Sequence, residues 1–376
     1  MASRKVMHGI ATIPGNIVSH GVHRITLPSS ADRNTERAQG SRTGAGRAVS
    51  GPGQGPASLV SIYRPVRPEM VELEKYLDRV VDSAPPELAE QLGHALKVGG
   101  KRIRPGITML AGKFHKYNVD LLLPMAAALE LLHTATLLHD DTIDDSHLRR
   151  GRLTANRLWG DANAVLLGDY LCAAAARMVA ELGKVWSASA IEVAEARNVR
   201  AMELLAQTIM NICSGAIEES LHPYNMSREH YFRRIGNKTA SLFCAAAESG
   251  ALLSEAPDKV VESFRDYGYN LGMGFQVVDD ILDFSSDVRR GSFTLPAILL
   301  LERPEGAWLK EVLEEDKEGG VRLLVEAVYD SAIMDECSQV ARDFCSGACQ
   351  ALEQLPRISA RESLVSLSDY IAQRDS

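Results

Sequence analysis

Asp140-Asp141-Thr142-Ile143-Asp144-Asp145 closes a long apolar stretch with four carboxylates. On a helix, positions 140 and 144 fall one turn apart on one face, roughly 6 Å along the axis. Like charges at that spacing repel, and the C-terminal end of a helix favours Lys or Arg instead. Carboxylates gathered there make physical sense when cations sit between them; a solvated acidic helix end is the plainer alternative. About 140 residues later, Asp279-Asp280-Ile281-Leu282-Asp283 repeats the i, i+1, i+4 pattern after the apolar run "LGMGFQVV". Two such sets facing each other across a bundle would hold divalent cations and clamp a diphosphate between them. Oxygen ligands select a hard ion, and Mg²⁺ takes one or two carboxylates and fills its octahedron with water and phosphate oxygens.

A diphosphate also needs cationic side chains. Gly99-Gly100-Lys101-Arg102-Ile103-Arg104-Pro105 offers three on a Gly-rich break, with Pro105 placed as a favoured first residue of the next helix. Arg149-Arg150-Gly151 follows the first acidic run, and Arg suits bidentate phosphate contact. Lys238 and Thr239 in "IGNKTASLF" add a cation and a hydroxyl on an expected helix. Taken singly, each of these is equally an ordinary surface charge.

The elements that must carry these groups read as helices. Of 376 residues, 45% are hydrophobic and only 6% aromatic, a balance that favours a helical core over a β sandwich. Apolar residues recur at three- and four-residue spacing, predicting helices over 68–83, 86–98, 104–114, 119–144, 162–182, 192–220, 227–253, 259–284 and 294–302. Several are apolar nearly all round, as the inner helices of a large bundle are. No stretch alternates with period two. Residues 119–138 have membrane-like length but contain Asp120, Pro124, Glu130 and His133, so a buried bundle helix explains them better.

The net charge of −8 argues against a general nucleic-acid partner. Residues 1–57 carry +5, leaving −13 for the rest, and are rich in Gly, Ser, Arg and Pro. They read as a disordered tail, or as an organellar targeting segment, ahead of one domain over 58–376. The expected location is the cytoplasm, or an organellar matrix if the tail is a transit peptide. Six cysteines (172, 213, 244, 337, 345 and 349) lie among apolar or small residues without a CxxC pair, and read as core thiols.

In this order, "GGKRIRP", "HTATLLHDDTIDDSHLRRG", "GNKTASLF" and "GFQVVDDILDF" resemble the trans-isoprenyl diphosphate synthases, particularly the medium- and long-chain polyprenyl group. The likeness runs from Ser58 to about Arg374. It implies an all-α fold, a large helical bundle with a central cavity, in a homodimer. It implies Mg²⁺ on Asp140, Asp141, Asp144, Asp279, Asp280 and Asp283, bridged to an allylic diphosphate. Arg149, Lys238, Thr239 and Gln276 match positions contacting that diphosphate, with the catalytic role falling to Lys238, Arg149 and Gln276. Lys101, Arg104, His133 and Arg150 match the site for isopentenyl diphosphate. Ionisation of the allylic C–O bond and capture of the cation by isopentenyl diphosphate would then lengthen the chain.

Two departures stand out. The family's loop GKxxxxDLxxGKxT is shortened here to "SSDVRRGSFTLP", leaving Arg289 or Arg290 as substitutes for its lysines; "SGAIEES" stands where GEIxQ is usual, so that Ala216 and Glu219 replace Glu and Gln. Ala135 and Thr136, one turn before Asp140, leave the floor of the tail tunnel open and imply products longer than about four isoprene units. A shorter-chain synthase, a class I terpene cyclase and the partner subunit of a heteromeric synthase are the competing readings. No transmembrane segment and no cofactor beyond Mg²⁺ are expected.

Overall fold

A computed structural model describes residues 57–97, 100–184, 191–222 and 224–374, excepting the side chains of 191–194. The expected tail over 1–57 therefore lies outside the described residues, apart from Ala57, as does Gly99.

The chain is a succession of helices. The first four are α1 (Leu59–Ile62), α2 (Arg67–Asp82), α3 (Pro86–Leu96) and α4 (Ile103–Gly112). The long α5 (Val119–Ile143) precedes a hairpin of β1 (Leu148–Arg149) and β2 (Arg152–Leu153), then α6 (Ala155–Trp159), α7 (Asp161–Glu181) and α8 (Ile191–Leu221). After α9 (Arg228–Ile235) come α10 (Ser241–Leu253), α11 (Asp258–Leu282), α12 (Phe284–Arg290) and α13 (Leu295–Leu301). The series closes with α14 (Ala307–Glu315), α15 (Lys317–Tyr329), α16 (Ile333–Ala351) and α17 (Ser359–Ala372).

Helix α5 begins where the Asn118 side chain accepts from the Asp120 N–H, satisfying one of the free donors of the first turn. It is buried on most of its circumference, from Leu121 and Leu122 through Ala135 to Leu138. It packs on α7, α4, α10 and α2, while α10 packs on α11 and α4. Length and composition would let α5 cross a membrane, but 78% of its apolar window is buried inside the fold. Close packing of α10 against α11 depends on Gly268, where an added Cβ would lie 2.5 Å from the Phe243 carbonyl oxygen. A second, smaller core beneath the second acidic run joins Tyr231, Val277, Phe284, Leu295, Ile298 and Phe344.

Three expectations need correcting. The helix expected over 227–253 is α9 and α10 joined by a π turn over Gly236–Ala240, which bulges the ladder at Lys238. Such bulges recur at functional sites because they re-aim side chains. Helix α4 starts at Ile103, with Arg102 in the left-handed region at φ +47°, so Pro105 sits third in the helix and not first. The hairpin adds a short antiparallel ladder that hydrophobic periodicity did not reveal, since two-residue strands carry too few positions to alternate.

Candidate active site

Both acidic runs end their helices as expected. Asp144 caps the C-terminus of α5 and Asp283 that of α11, each with its backbone N–H bonded one turn back, to the carbonyls of Asp140 and Asp279. Asp144 and Asp283 are exposed, Asp140 and Asp279 partly buried, and Asp141 and Asp280 buried. Burial raises the Asp140 carboxyl above the usual range; Lys238 opposes this and Asp144 adds to it. Burial likewise raises Asp279, against Arg374 and with Asp283.

Each run is tied to cations. Arg149 donates from Nε and Nη2 to Asp141 at 2.8–2.9 Å, a bidentate fork. Burial works against the Arg149 charge, but Asp141 outweighs it and raises the pKa. Lys238 Nζ lies 3.6 Å from Asp140 Oδ1 and donates to Glu219 Oε2 at 2.6 Å. Burial is again outweighed, by Asp140 and Glu219, so Lys238 stays protonated. Arg374 donates from Nη1 to Asp279 Oδ1 at 2.6 Å.

Asp280 differs from the other five. Its Oδ2 accepts from the Tyr231 hydroxyl at 2.6 Å and its Oδ1 from Gln276 Nε2 at 2.7 Å, while Gln276 Oε1 accepts from Thr239 at 2.7 Å. Burial pushes its carboxyl up to about 6 against these two donors. Asp280, Gln276 and Thr239 thus form one partly buried network that braces α11 against the π turn. Among the described residues no three His, Cys, Asp or Glu side chains converge as a preformed metal site. The remaining donors still suit a hard divalent cation: all are carboxylate oxygens, and each run presents a partly buried and an exposed carboxylate one turn apart.

Further cationic side chains lie beside Asp141. A cavity of about 60 Å³ is lined by His94, Arg102, Glu130, His133, Arg149 and Arg150, with apolar walls from Leu137, Leu138 and Leu153. Arg102 is spent on structure, donating to Glu74 at 2.8 Å and to Glu130 at 2.7 Å. Burial, then Arg104, Arg150 and Arg149, hold His133 neutral with a depressed pKa. Arg104 stacks over Phe243 at 4.4 Å, and burial lowers its pKa to about 10. Phe243 in turn lies 5.1 Å from Phe275, over which Arg374 stacks at 5.2 Å. Lys101 is exposed, its ammonium 5.4 Å from the Tyr370 ring.

Not every expected residue joins this cavity: of the four expected to bind isopentenyl diphosphate, His133 and Arg150 line it and Lys101 and Arg104 do not. Ala135 is fully buried in the core and Thr136 turns its hydroxyl to the His133 carbonyl at 2.7 Å; neither lines the cavity beside Arg149. Arg289 and Arg290 end α12 with exposed side chains. Sequence reasoning missed Arg374 and Tyr231, which belong to no spaced motif. It noted Glu219 only as a departure, whereas Glu219 holds Lys238 and lies 3.4 Å from Arg234. Glu130 carried a signal, as a carboxylate in the middle of an apolar run.

Residues 85–330 match the family model described as polyprenyl synthetase. Heptaprenyl diphosphate synthase component 2 of Geobacillus stearothermophilus is 35% identical over 332 residues, spanning 84% of this chain and 99% of that relative. Octaprenyl diphosphate synthase of Escherichia coli is 32% identical over 309 residues, 77% of this chain and 91% of the relative. Among solved structures, a polyprenyl synthase from Caulobacter crescentus, complexed with calcium and isoprenyl diphosphate, superposes with a TM-score of 0.75 at 31% identity. The overlay covers 86% of this chain and all of that one. With the paired acidic runs and their cationic side chains carried on a bundle of helices, this chain belongs to the polyprenyl synthetase family.

Proposed function

We propose that the chain is a Mg²⁺-dependent prenyltransferase that adds isopentenyl diphosphate to an allylic diphosphate and makes a medium- or long-chain polyprenyl diphosphate. The observation that carries this reading is the placement of two acidic helix ends with cations on both sides, Lys238 and Arg149 at one and Arg374 at the other. The relatives named for heptaprenyl and octaprenyl products support the chain-length class. The calcium complexed by the Caulobacter polyprenyl synthase supports a divalent ion, for which Asp140, Asp144, Asp279 and Asp283 are the available ligands.

The bound metal would supply charge stabilisation on the departing diphosphate. The chain's own residues do the rest. Lys238, beside Asp140 and Glu219, and Arg149, beside Asp141, remain charged and are placed to meet phosphate oxygens at the first acidic run. Arg104 and Arg374 each carry a buried Nε–H without a partner, donors that a diphosphate oxygen would satisfy. Neutral His133 can donate to an anion without adding a buried charge. Phe243 and Phe275 give an apolar wall beside these charges, which keeps water from an allylic cation.

Assembly is proposed as a homodimer. Leu166 and Tyr170 of α7 and Val199, Met210 and Ile217 of α8 are exposed, and the three on α8 recur along one helix face. The name "component 2" carried by the Geobacillus relative favours one second reading, a chain that works with another subunit. The location of the protein is proposed as the cytoplasm.

The test is an assay of the purified chain with farnesyl and isopentenyl diphosphates, with product chromatography. Activity should disappear with EDTA and return with Mg²⁺, and Asp140→Asn or Asp279→Asn should each lower kcat by about 10²-fold or more. Near wild-type turnover in either variant would exclude the metal clamp. Inactivity of the wild-type chain alone, relieved by an added subunit, would support the second reading.

A further inference from the structure

The hairpin between α5 and α6 carries Arg149 and Arg150, and its turn is strained. Arg150 has φ +50° and Gly151 φ +75°, two consecutive left-handed residues that make a tight reversal between Arg149 and Arg152. Gly151 takes that conformation freely, but for an L-residue such as Arg150 it costs about 1–2 kcal/mol. The turn is thus kept by contacts outside itself. Its base is tied to the end of α5: Thr154 donates to the Ser146 carbonyl at 2.7 Å, and Asn156 donates to the carbonyls of Asp141 and Ser146 at 3.3 Å. Arg149 has its own anchor in Asp141. Arg150 extends the other way, toward the loop before α4, where its Nη1 lies 3.4 Å from the point a Cβ on Gly100 would occupy.

His94, on the last turn of α3, holds that side. Its Nε2 lies 2.9 Å from the Leu153 carbonyl and its Nδ1 3.4 Å from Arg152 Nη2, and its ring meets Trp159 edge-on at 5.2 Å. A carbonyl only accepts and a guanidinium only donates. The tautomer with the proton on Nε2 and an accepting Nδ1 satisfies both neighbours at once. A few residues beyond the end of α3 the chain reaches Gly100, Lys101 and Arg104.

We propose that His94 is a positioning residue, docking the hairpin against the end of α3, just ahead of Lys101 on the loop and Arg104 in the first turn of α4, so that Arg150 faces the diphosphate of isopentenyl diphosphate. The inference rests on the reading of this cluster as a diphosphate site. Because Arg149 is held by Asp141 independently, loss of His94 falls on Arg150, and hence on one of the two substrates.

Steady-state kinetics on four variants test this. His94→Phe keeps the ring against Trp159 and removes both polar contacts; it should raise KM for isopentenyl diphosphate about tenfold, with kcat and the allylic KM within about twofold of wild type. His94→Gln, which retains a donor and an acceptor, should recover part of the loss. Arg152→Ala, on the exposed hairpin, should give a smaller rise in the same KM and stands in if the Phe variant does not fold. Arg150→Ala separates the diphosphate site from the residue that positions it. An unchanged KM in Arg150→Ala would refute the diphosphate reading of the hairpin. A raised KM there beside unchanged His94 and Arg152 variants would refute the role of His94, as would a His94→Phe variant in which kcat and both KM values worsen together.

Discussion

Arg374 Nη1 sits 2.6 Å from Asp279 Oδ1, so a residue from the last turns of the chain reaches the first carboxylate of the second acidic run, 95 positions earlier. Both groups are about three-quarters buried. Removing the guanidinium leaves Asp279 without its cation and the site with one donor fewer. Arg374→Ala should lower kcat/KM by about tenfold or more, with little change in Tm, in steady-state assays and thermal melts. Unchanged kcat/KM would make the contact a surface detail.

The two cation clusters should answer to different substrates. Lys101→Ala and Arg104→Ala are expected to raise KM for isopentenyl diphosphate about 10- to 100-fold, whereas Lys238→Ala should act on the allylic substrate. Kinetics with each substrate varied in turn would reverse the assignment if the effects came out the other way round.

Asp280 sets a pH dependence for stability. Its carboxyl is raised from 3.8 to about 6, so between those values the folded chain keeps a proton that the unfolded chain releases. The contribution is complete below about pH 4 and is lost as pH rises through about 6, to a total of roughly 3 kcal/mol. Asp140 and Asp279 are shifted in the same direction. Melts in EDTA across this window should show Tm falling with pH, and Asp280→Asn should flatten the slope. Equal slopes in the two proteins would show that the network does not titrate there.

Ala135→Phe addresses product length. Ala135 is fully buried, so the ring must take space from the core or from the path of the growing chain. Shorter products with the first condensation preserved are expected by chromatography, along with a loss of about 1–3 kcal/mol in stability. An unchanged product distribution in a folded variant would remove Ala135 from the tunnel floor.

Much of this architecture was legible in the residues. Continuous apolar spacing placed α5 and α11 to within a residue or two, and the DDxxD repeats landed at their C-termini as expected. Motif spacing could not show how individual carboxylates differ. Asp141 and Asp280 occupy the same place in their runs, yet one meets Arg149 and the other Tyr231, partners fixed by tertiary packing. The π turn at Lys238 was hidden because "GNKTA" has ordinary helical spacing on both sides. The hairpin was missed because its turn depends on two φ values that "RRGR" only half advertises, through Gly151.

The burial of α5 has a consequence for how the protein is made. Its later partners α7 and α10 begin at residues 161 and 241, so the latter arrives about 100 residues after α5 is finished. At ribosomal speeds of roughly 5–20 residues per second, a helix of membrane-like length stays partly uncovered on the nascent chain for on the order of 5–20 s. What distinguishes it from an insertion signal during that interval is Glu130 near its midpoint and Asp140 and Asp141 near its end. A charged side chain at the centre of a bilayer-spanning helix is costly, about 2.5–3.5 kcal/mol at the translocon for Asp, Lys or Arg. Charges that brace Arg102 and line the candidate site in the finished fold would therefore also count against lipid insertion of the growing chain before that fold exists.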